Sequence, residues 1–404
     1  MSEALVIIGN GMAAARLVEE LSKVALGRYA VAVVGEEPRL AYNRVLLSSV
    51  LAGEINEVDI ELKTAHWWRN HGVTLQYGCK ATAIDLARHE VKLASGGTLA
   101  YSKLVLATGS HAIRLPTKGG DLAGVHTFRD TADIAKLKRL AEERKRVVVI
   151  GGGLLGLEAA YGLVKSGAKV TLAHLMNRLM ERQLDPAGAA LLKQLVERKG
   201  VRVMLNANTV QIHGERDVRA VEFDDGSIVD ADAVIFAVGV RPNVELARQA
   251  GVATNRGVLV DDTLATNIRD VYAIGECAEH RGQCYGLVEP AYTQARVVAA
   301  NLAGRDDAYA GSVIATNLKV SGVNVFSAGD FAGSGDAQQI VCSDPRMGVY
   351  KKLVINDNRL VGAVLIGDTS GALWGLDLIR SGADIGQLRD ELMFCDAPTR
   401  QKAA

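Results

Sequence analysis

Two stretches of the chain repeat one arrangement of apolar and polar positions. Leu5-Val6-Ile7-Ile8 runs without a polar break into Gly9, and Val147-Val148-Val149-Ile150 runs likewise into Gly151. Behind each glycine, apolar residues return at helical spacing. Each helix leads to a second apolar run, YAVAVVGEE from Tyr29 and AKVTLAHLM from Ala168. A short run that is apolar at every position predicts a strand covered on both faces, as in a parallel sheet. The pattern is β-α-β twice over, a duplicated fold rather than a short-period repeat.

The segments after each unit alternate instead. HEVKLASGGTLAYSKLVLATG from His89, VRVMLNANTVQIHG from Val201 and RAVEFDDGSIVDADAVIFAVG from Arg219 read as strands, broken by turns at Ser95-Gly96-Gly97 and Asp225-Gly226-Ser227. Residues 311–367 read as strands with short turns, and ALWGLDLIRSGADIGQLRDEL from Ala372 as one or two amphipathic helices. The expected fold class is α/β, with two tandem Rossmann-like dinucleotide-binding domains and a C-terminal α+β domain. The expected boundaries are 1–112 with 244–310, then 113–243 inserted between them, then 311–404.

The glycine turns carry the chemistry. Gly9-Asn10-Gly11-Met12-Ala13-Ala14 is G-x-G-x-x-A, and Gly151-Gly152-Gly153-Leu154-Leu155-Gly156 is G-x-G-x-x-G. The first glycine turns tightly from strand to helix, the second lets a pyrophosphate approach the backbone, and the third small residue lets helix pack on strand. Exposed N–H groups and the helix dipole then hold the anion. An acid at the end of the next strand should bind a ribose hydroxyl. Glu36 meets this in the first unit, whereas His174 stands at the matching place in the second. With no acid there, His174 and Arg178 suit either the ribose of NADH or the 2′-phosphate of NADPH. Leu104–Ser110 is a strand ending in small residues, and Val271–His280 an apolar strand ending in Gly275-Glu276. Both place candidate ligand groups at the C-terminal edge of a parallel sheet, where such folds bind.

Composition removes other classes. The 404 residues are 49% hydrophobic and 23% charged with zero net charge, which gives no basic balance for nucleic acid. No apolar run reaches the ~18 residues of a membrane span, and no signal peptide precedes Gly9, so the cytoplasm is the expected compartment. The five cysteines, Cys79, Cys277, Cys284, Cys342 and Cys395, are scattered and odd in number, unlike a disulfide framework. Cys277-x2-His280-x3-Cys284 has ligand-like spacing but no fourth ligand nearby in sequence, so no metal is expected. Trp67, Trp68 and Trp374 have apolar neighbours and read as core.

Together these segments resemble the flavin-dependent pyridine-nucleotide oxidoreductases with tandem dinucleotide-binding domains. The resemblance implies FAD in the first unit and NADH, rather than NADPH, in the inserted one. For FAD it implies roles for Gly9, Gly11, Met12, Ala13 and Ala14 at the turn and Glu36 at the adenosine ribose. It further implies Arg44 at the pyrophosphate, Ala81 at adenine, Thr108-Gly109 as a second loop, Arg129 as a reaching arginine, Glu276 at the ribityl chain and Val288 beside the ring. For NADH it implies Gly151, Gly153, Leu155, Gly156, His174 and Gly239, with Glu158 on the nicotinamide side. No side chain need act as acid or base, because hydride passes between cofactors.

Within that family the likeness is to the N-terminal flavoprotein part of NADH-dependent assimilatory nitrite reductase large subunits and to nitrate reductase electron-transfer subunits. It rests on IIGNGMA (7–13), AYNRVLLSSVLAGE (41–54), GGGLLGLEAAYGL (151–163), HLMNRLMERQLDP (174–186) and GECAEHRGQCYGLVEPAY (275–292). Ser49, which the resemblance implies at the FAD site, stands where rubredoxin and ferredoxin reductases carry lysine, and no cysteine pair lies near the first helix as in disulfide reductases. Nor does the chain carry C-x-x-C, so it is not expected to reduce nitrite alone. The resulting expectation is an FAD-dependent NADH oxidoreductase that hands electrons to a redox protein or reductase subunit. The alternatives are an NAD(P)H-dependent rubredoxin or ferredoxin reductase and, from another class, an NADH-binding redox sensor. The sequence leaves the homodimer question open and calls for no membrane insertion.

Overall fold

The computed structural model describes residues 2–25, 27–320, 322–389 and 392–393. They divide into two compact units, one of residues 1–47, 55–111 and 240–312, the other of 48–54, 112–239 and 313–404.

In the first unit, strand β1 (Glu3–Ile8), helix α1 (Met12–Val24) and strand β2 (Tyr29–Gly35) form the first β-α-β repeat. The sheet runs in the order Val271–Ala273, Lys103–Leu106, β1, β2, Thr74–Tyr77, and its neighbouring strands are parallel. The unbroken apolar pattern has its expected cause. Leu5 and Ile7 face a core built with Leu17 and Leu21 of α1 and Val298 of helix Val288–Leu302, while Val6 and Ile8 face the other core with Leu104, Leu106 and Val91. A strand between two cores has no face left for polar side chains.

Among the described residues, the second unit contains two five-stranded sheets and a smaller antiparallel one of Thr209–Gly214, Val218–Phe223 and Ile228–Asp230. Strand β3 (Arg146–Ile150), helix α2 (Leu154–Lys165) and strand β4 (Lys169–Ala173) repeat the β-α-β pattern. Their sheet has the order Arg202–Met204, β4, β3, Ala233–Phe236, Val125–Thr127, again parallel. Helix α3 (Pro186–Arg198) follows, started by Asp185, whose side chain accepts from the Gly188 N–H. The other five-stranded sheet is antiparallel, ordered Ala315–Val320, Val323–Gly329, Arg359–Ile366, Val349–Asn356, Gln338–Asp344.

Helix α4 (Ala372–Ser381) covers the five-stranded antiparallel sheet and ends at Gly382 with φ +58°. Of the one or two amphipathic helices expected from Ala372, the first stops there, because a left-handed residue ends the helical hydrogen-bond ladder. Trp68 is buried in the first unit, while Trp67 and Trp374 are half-buried against their cores. No helix among the described residues is long and apolar enough to cross a membrane.

Candidate dinucleotide sites

The two glycine turns are built alike. Gly9 has φ +116°, and a Cβ there would lie 2.0 Å from the Ala107 carbonyl oxygen. Gly151 has φ +119°, and its Cβ would lie 2.3 Å from the Ala237 oxygen. Ala107 and Ala237 each follow the strand next to the turn, so in both units the chain leaves its sheet against a neighbouring carbonyl and admits only glycine. The third position is equally crowded. Ala14 is fully buried, and a Cβ on Gly156 would meet the Gly151 oxygen at 1.8 Å.

The middle glycines differ from both. A Cβ on Gly11 or Gly153 would touch nothing within 4 Å. These residues begin α1 and α2 with no side-chain cap and no acid in the first turn. Open space therefore lies before two helix N-termini whose first N–H groups have no side-chain acceptor, as a pyrophosphate requires. On this ground the residues present fit a dinucleotide in each unit.

In the first unit the remaining expected residues gather at the same sheet edge. Glu36 follows β2 and pairs with Lys80 at 3.0 Å in an exposed position. Thr108 and Gly109 follow strand Lys103–Leu106, and Gly109 takes φ +65°. Glu276 sits in the 3-10 turn Gly275–Cys277 and accepts from Ser110 Oγ at 2.7 Å. That turn is held close to α1, since a Cβ on Gly275 would come within 3.0 Å of Ala13 Cβ, and the Gly275 N–H donates to buried Gln294 at 2.7 Å. Arg44 donates to the Tyr42 hydroxyl at 2.8 Å and is ion-paired with Glu37. Met12 opens α1, Val288 opens helix Val288–Leu302, and Ala81 opens strand Ala81–Asp85; all three are half-buried.

Two residues expected at FAD belong to the second unit. Ser49 is on the short helix Leu47–Leu51, whose Leu51 packs on Gly162 and accepts from Ser166 Oγ at 2.7 Å. Arg129 follows strand Val125–Thr127, its N–H donating to Asp133 at 2.9 Å.

Around the second turn, Leu155 and Glu158 lie on α2. Gly239, with φ +113°, accepts from the Ile113 N–H at 3.0 Å. Glu158 has no hydrogen-bond or ion-pair partner among the described residues, and burial pushes its carboxyl up to about 8. His174 follows β4, and both ring nitrogens are engaged. Nδ1 accepts from the Gly152 N–H at 3.0 Å, and Nε2 lies 3.0 Å from Glu181.

The sequence did not single out Asn243 or Glu181. Asn243 clasps the Thr108-Gly109 loop through side chain and backbone alike. Its only sequence signal is its place after Pro242 at a strand end. Cys277 and His280, which shared ligand-like spacing, have other partners. The Cys277 thiol donates to the Leu106 and Ile274 carbonyls, burial pushes it up, and His280 Nε2 pairs with Asp262 at 2.9 Å. Cys395 lies outside the described residues. Among the described residues no group of three or more His, Cys, Asp or Glu could hold a metal.

Comparison with known proteins places the chain in a family and supports its fold. Residues 3–301 match the pyridine nucleotide-disulphide oxidoreductase family, and residues 315–383 match the rubredoxin NAD+ reductase C-terminal domain. The chain is 43% identical to a nitrite reductase [NAD(P)H] of Bacillus subtilis over 95% of its own length and 48% of that protein's. It is 40% identical to an assimilatory nitrate reductase electron transfer subunit of the same organism, over 96% of the chain and 51% of the relative. The chain thus spans about half the length of these curated relatives. Among solved structures, the putidaredoxin reductase–putidaredoxin complex aligns with TM-score 0.85 at 26% identity, covering 95% of this chain and 94% of the other.

Proposed function

The chain belongs to the pyridine nucleotide-disulphide oxidoreductase family, and from that premise we propose that it is the NADH-oxidising FAD component of a nitrite or nitrate reductase system. The observation that carries this reading is the pair of glycine cradles, each with open space before an uncapped helix N-terminus. A chain with one such cradle binds a dinucleotide; a chain with two can bind donor and acceptor together.

When bound, FAD supplies the conversion of a two-electron hydride donor into a source of single electrons. The chain's residues hold and orient. In the first unit Gly11 and α1 would take the pyrophosphate, Glu36 the adenosine ribose and Glu276 the ribityl hydroxyls, with Thr108-Gly109 shaped by Asn243. In the second unit Gly153 and α2 would take the NADH pyrophosphate, with Glu158 toward the nicotinamide. We assign no thiol step: burial raises the thiols of Cys277 and Cys284, which keeps them from the reactive thiolate form. We also read three domains, with 113–243 and 311–404 as separate pieces; their separate sheets and the two family matches support this.

The relatives' names point to nitrite and nitrate reduction as the destination of the electrons. A second reading, a rubredoxin or ferredoxin reductase, is favoured by the match of residues 315–383 and by the putidaredoxin reductase likeness. The test supplies NADH and compares acceptors: a nitrite or nitrate reductase catalytic component against a rubredoxin and a ferredoxin. Fast reduction of the first alone supports the proposal, and fast reduction of only the small carriers replaces it with the second reading.

A further inference from the structure

The second cradle has no acid where its strand ends, and the structure shows what stands there instead. His174 follows β4, is buried, and packs under the glycine turn so tightly that a Cβ on Gly152 would lie 2.6 Å from its ring. The Gly152 N–H can only donate, so Nδ1 is the acceptor in their 3.0 Å bond. A neutral ring then carries its proton on Nε2 and donates it to Glu181 Oε2, 3.0 Å away. Neither ring nitrogen is left for a ligand.

Glu181 is thirty positions beyond Gly151, about ten later than the usual acid. The fold returns it to the strand end. Met180 takes φ +50°, and its N–H donates to the Gly152 carbonyl at 3.0 Å. Leu179, Met180 and Leu184 are buried and fix this loop. Both backbone groups of Gly152 are thereby used, one on His174 and one on the residue before Glu181. The Glu181 side chain remains 25% exposed, and its Oε1 has no hydrogen-bond partner among the described residues. Leu175 and Met176, directly after His174, expose apolar side chains at 60% and 44%, a surface suited to a purine face. Arg178, the nearest candidate for a 2′-phosphate, turns Nη2 toward the Glu181 carbonyl at 3.5 Å.

We infer that Glu181 is the carboxylate that binds the adenosine ribose hydroxyls of the nicotinamide dinucleotide and discriminates against a 2′-phosphate, with His174 as its positioning residue. This rests on the reading that the second unit binds that dinucleotide. A carboxylate accepts from both ribose hydroxyls, repels a phosphate at the 2′ oxygen, and is kept from turning away by the bond from His174.

The test is calorimetric titration of the FAD-loaded protein with ADP-ribose and with 2′-phospho-ADP-ribose, which need no hydride transfer. The wild type should bind ADP-ribose at least about tenfold more tightly than its phosphorylated form. Glu181→Gln and Glu181→Ser should each weaken ADP-ribose about tenfold and bring the two ligands within about threefold. His174→Ala should cost a similar factor, and adding it to Glu181→Gln should cost little more, since the pair acts as one unit. Wild-type binding of ADP-ribose with an unchanged preference in both folded Glu181 variants overturns the inference and leaves the dinucleotide reading standing. Failure of the wild type to bind either ligand overturns both.

Discussion

Asn243 and Thr108 hold each other by a reciprocal pair of hydrogen bonds: Thr108 Oγ1 donates to the Asn243 carbonyl and Asn243 Nδ2 donates to the Thr108 carbonyl, both at 2.8 Å. The Asn243 N–H adds a third bond, to the Gly109 carbonyl at 2.9 Å. The bond from Nδ2 depends on the asparagine side chain, as does a 2.6 Å bond between its Oδ1 and His111 Nδ1. Asn243→Ala removes both and leaves the Thr108 carbonyl short of a donor, at a cost of about 1–2 kcal/mol. The expected outcome is an FAD dissociation constant raised about tenfold, measured by flavin fluorescence on titrating apoprotein. An unchanged constant would show that the loop does not touch the flavin.

The middle glycine of each turn and the last glycine of the second should respond oppositely to alanine. Gly11 and Gly153 have φ −105° and −83°, which any residue adopts, and a Cβ there meets no protein atom within 4 Å. Gly11→Ala and Gly153→Ala should therefore leave thermal stability unchanged or raised by up to about 1 kcal/mol. Each should weaken one dinucleotide only, FAD for Gly11 and NADH for Gly153, by about tenfold or more. Gly156→Ala places its Cβ 1.8 Å from the Gly151 oxygen and should destabilise by about 1–3 kcal/mol. Melting curves and separate ligand titrations distinguish these outcomes.

Glu158 should make stability depend on pH. Burial raises its carboxyl from 4.5 to about 8 in the folded protein. The folded state thus holds a proton that the unfolded state has lost across that interval. The contribution is fully present below about pH 4.5 and is lost as pH rises through about 8. Glu158→Gln keeps the shape without the charge. Its melting temperature should match wild type near pH 5 and exceed it by several degrees near pH 9, corresponding to a few kcal/mol. Equal pH profiles for the two proteins would show that this carboxyl is well solvated.

Asp185 ties helix α3 to the five-stranded antiparallel sheet. It caps α3 through the Gly188 N–H, accepts from the Tyr350 hydroxyl at 2.6 Å, and faces buried Lys352 at 3.7 Å. The Tyr350 proton is correspondingly held well above its usual range by burial first and by this carboxylate second. Asp185→Ala should cost about 3–5 kcal/mol, because it strands a buried ammonium as well as losing a cap. Tyr350→Phe should cost about 1 kcal/mol. Denaturant titration measures both.

How much of this was legible in the sequence depends on the range of the contacts involved. The glycine turns were readable because their spacing belongs to one strand, turn and helix, although the carbonyls that exclude a Cβ at Gly9 and Gly151 come from distant Ala107 and Ala237. The two-sided burial of β1 and β3 was readable because no polar residue interrupts them. His174 could be placed at the strand end by counting. Glu181 could not, because its return depends on the Met180 N–H finding the Gly152 carbonyl, a contact that no local pattern announces. Asn243 was hidden for a like reason, since its partner Thr108 lies 135 positions away. The helix from Ala372 was readable, but its end at Gly382 was blurred by apolar residues that continue at near-helical spacing beyond it.

In the proposed function one cradle holds FAD and the other delivers reducing equivalents to it from NADH. The decisive experiment is anaerobic titration of the purified chain with NADH, following the visible flavin band. A yellow protein with one FAD per chain, bleached in full by one equivalent of NADH, is the expected result. A protein that takes up no flavin, or one whose flavin stays oxidised under excess NADH, would contradict it.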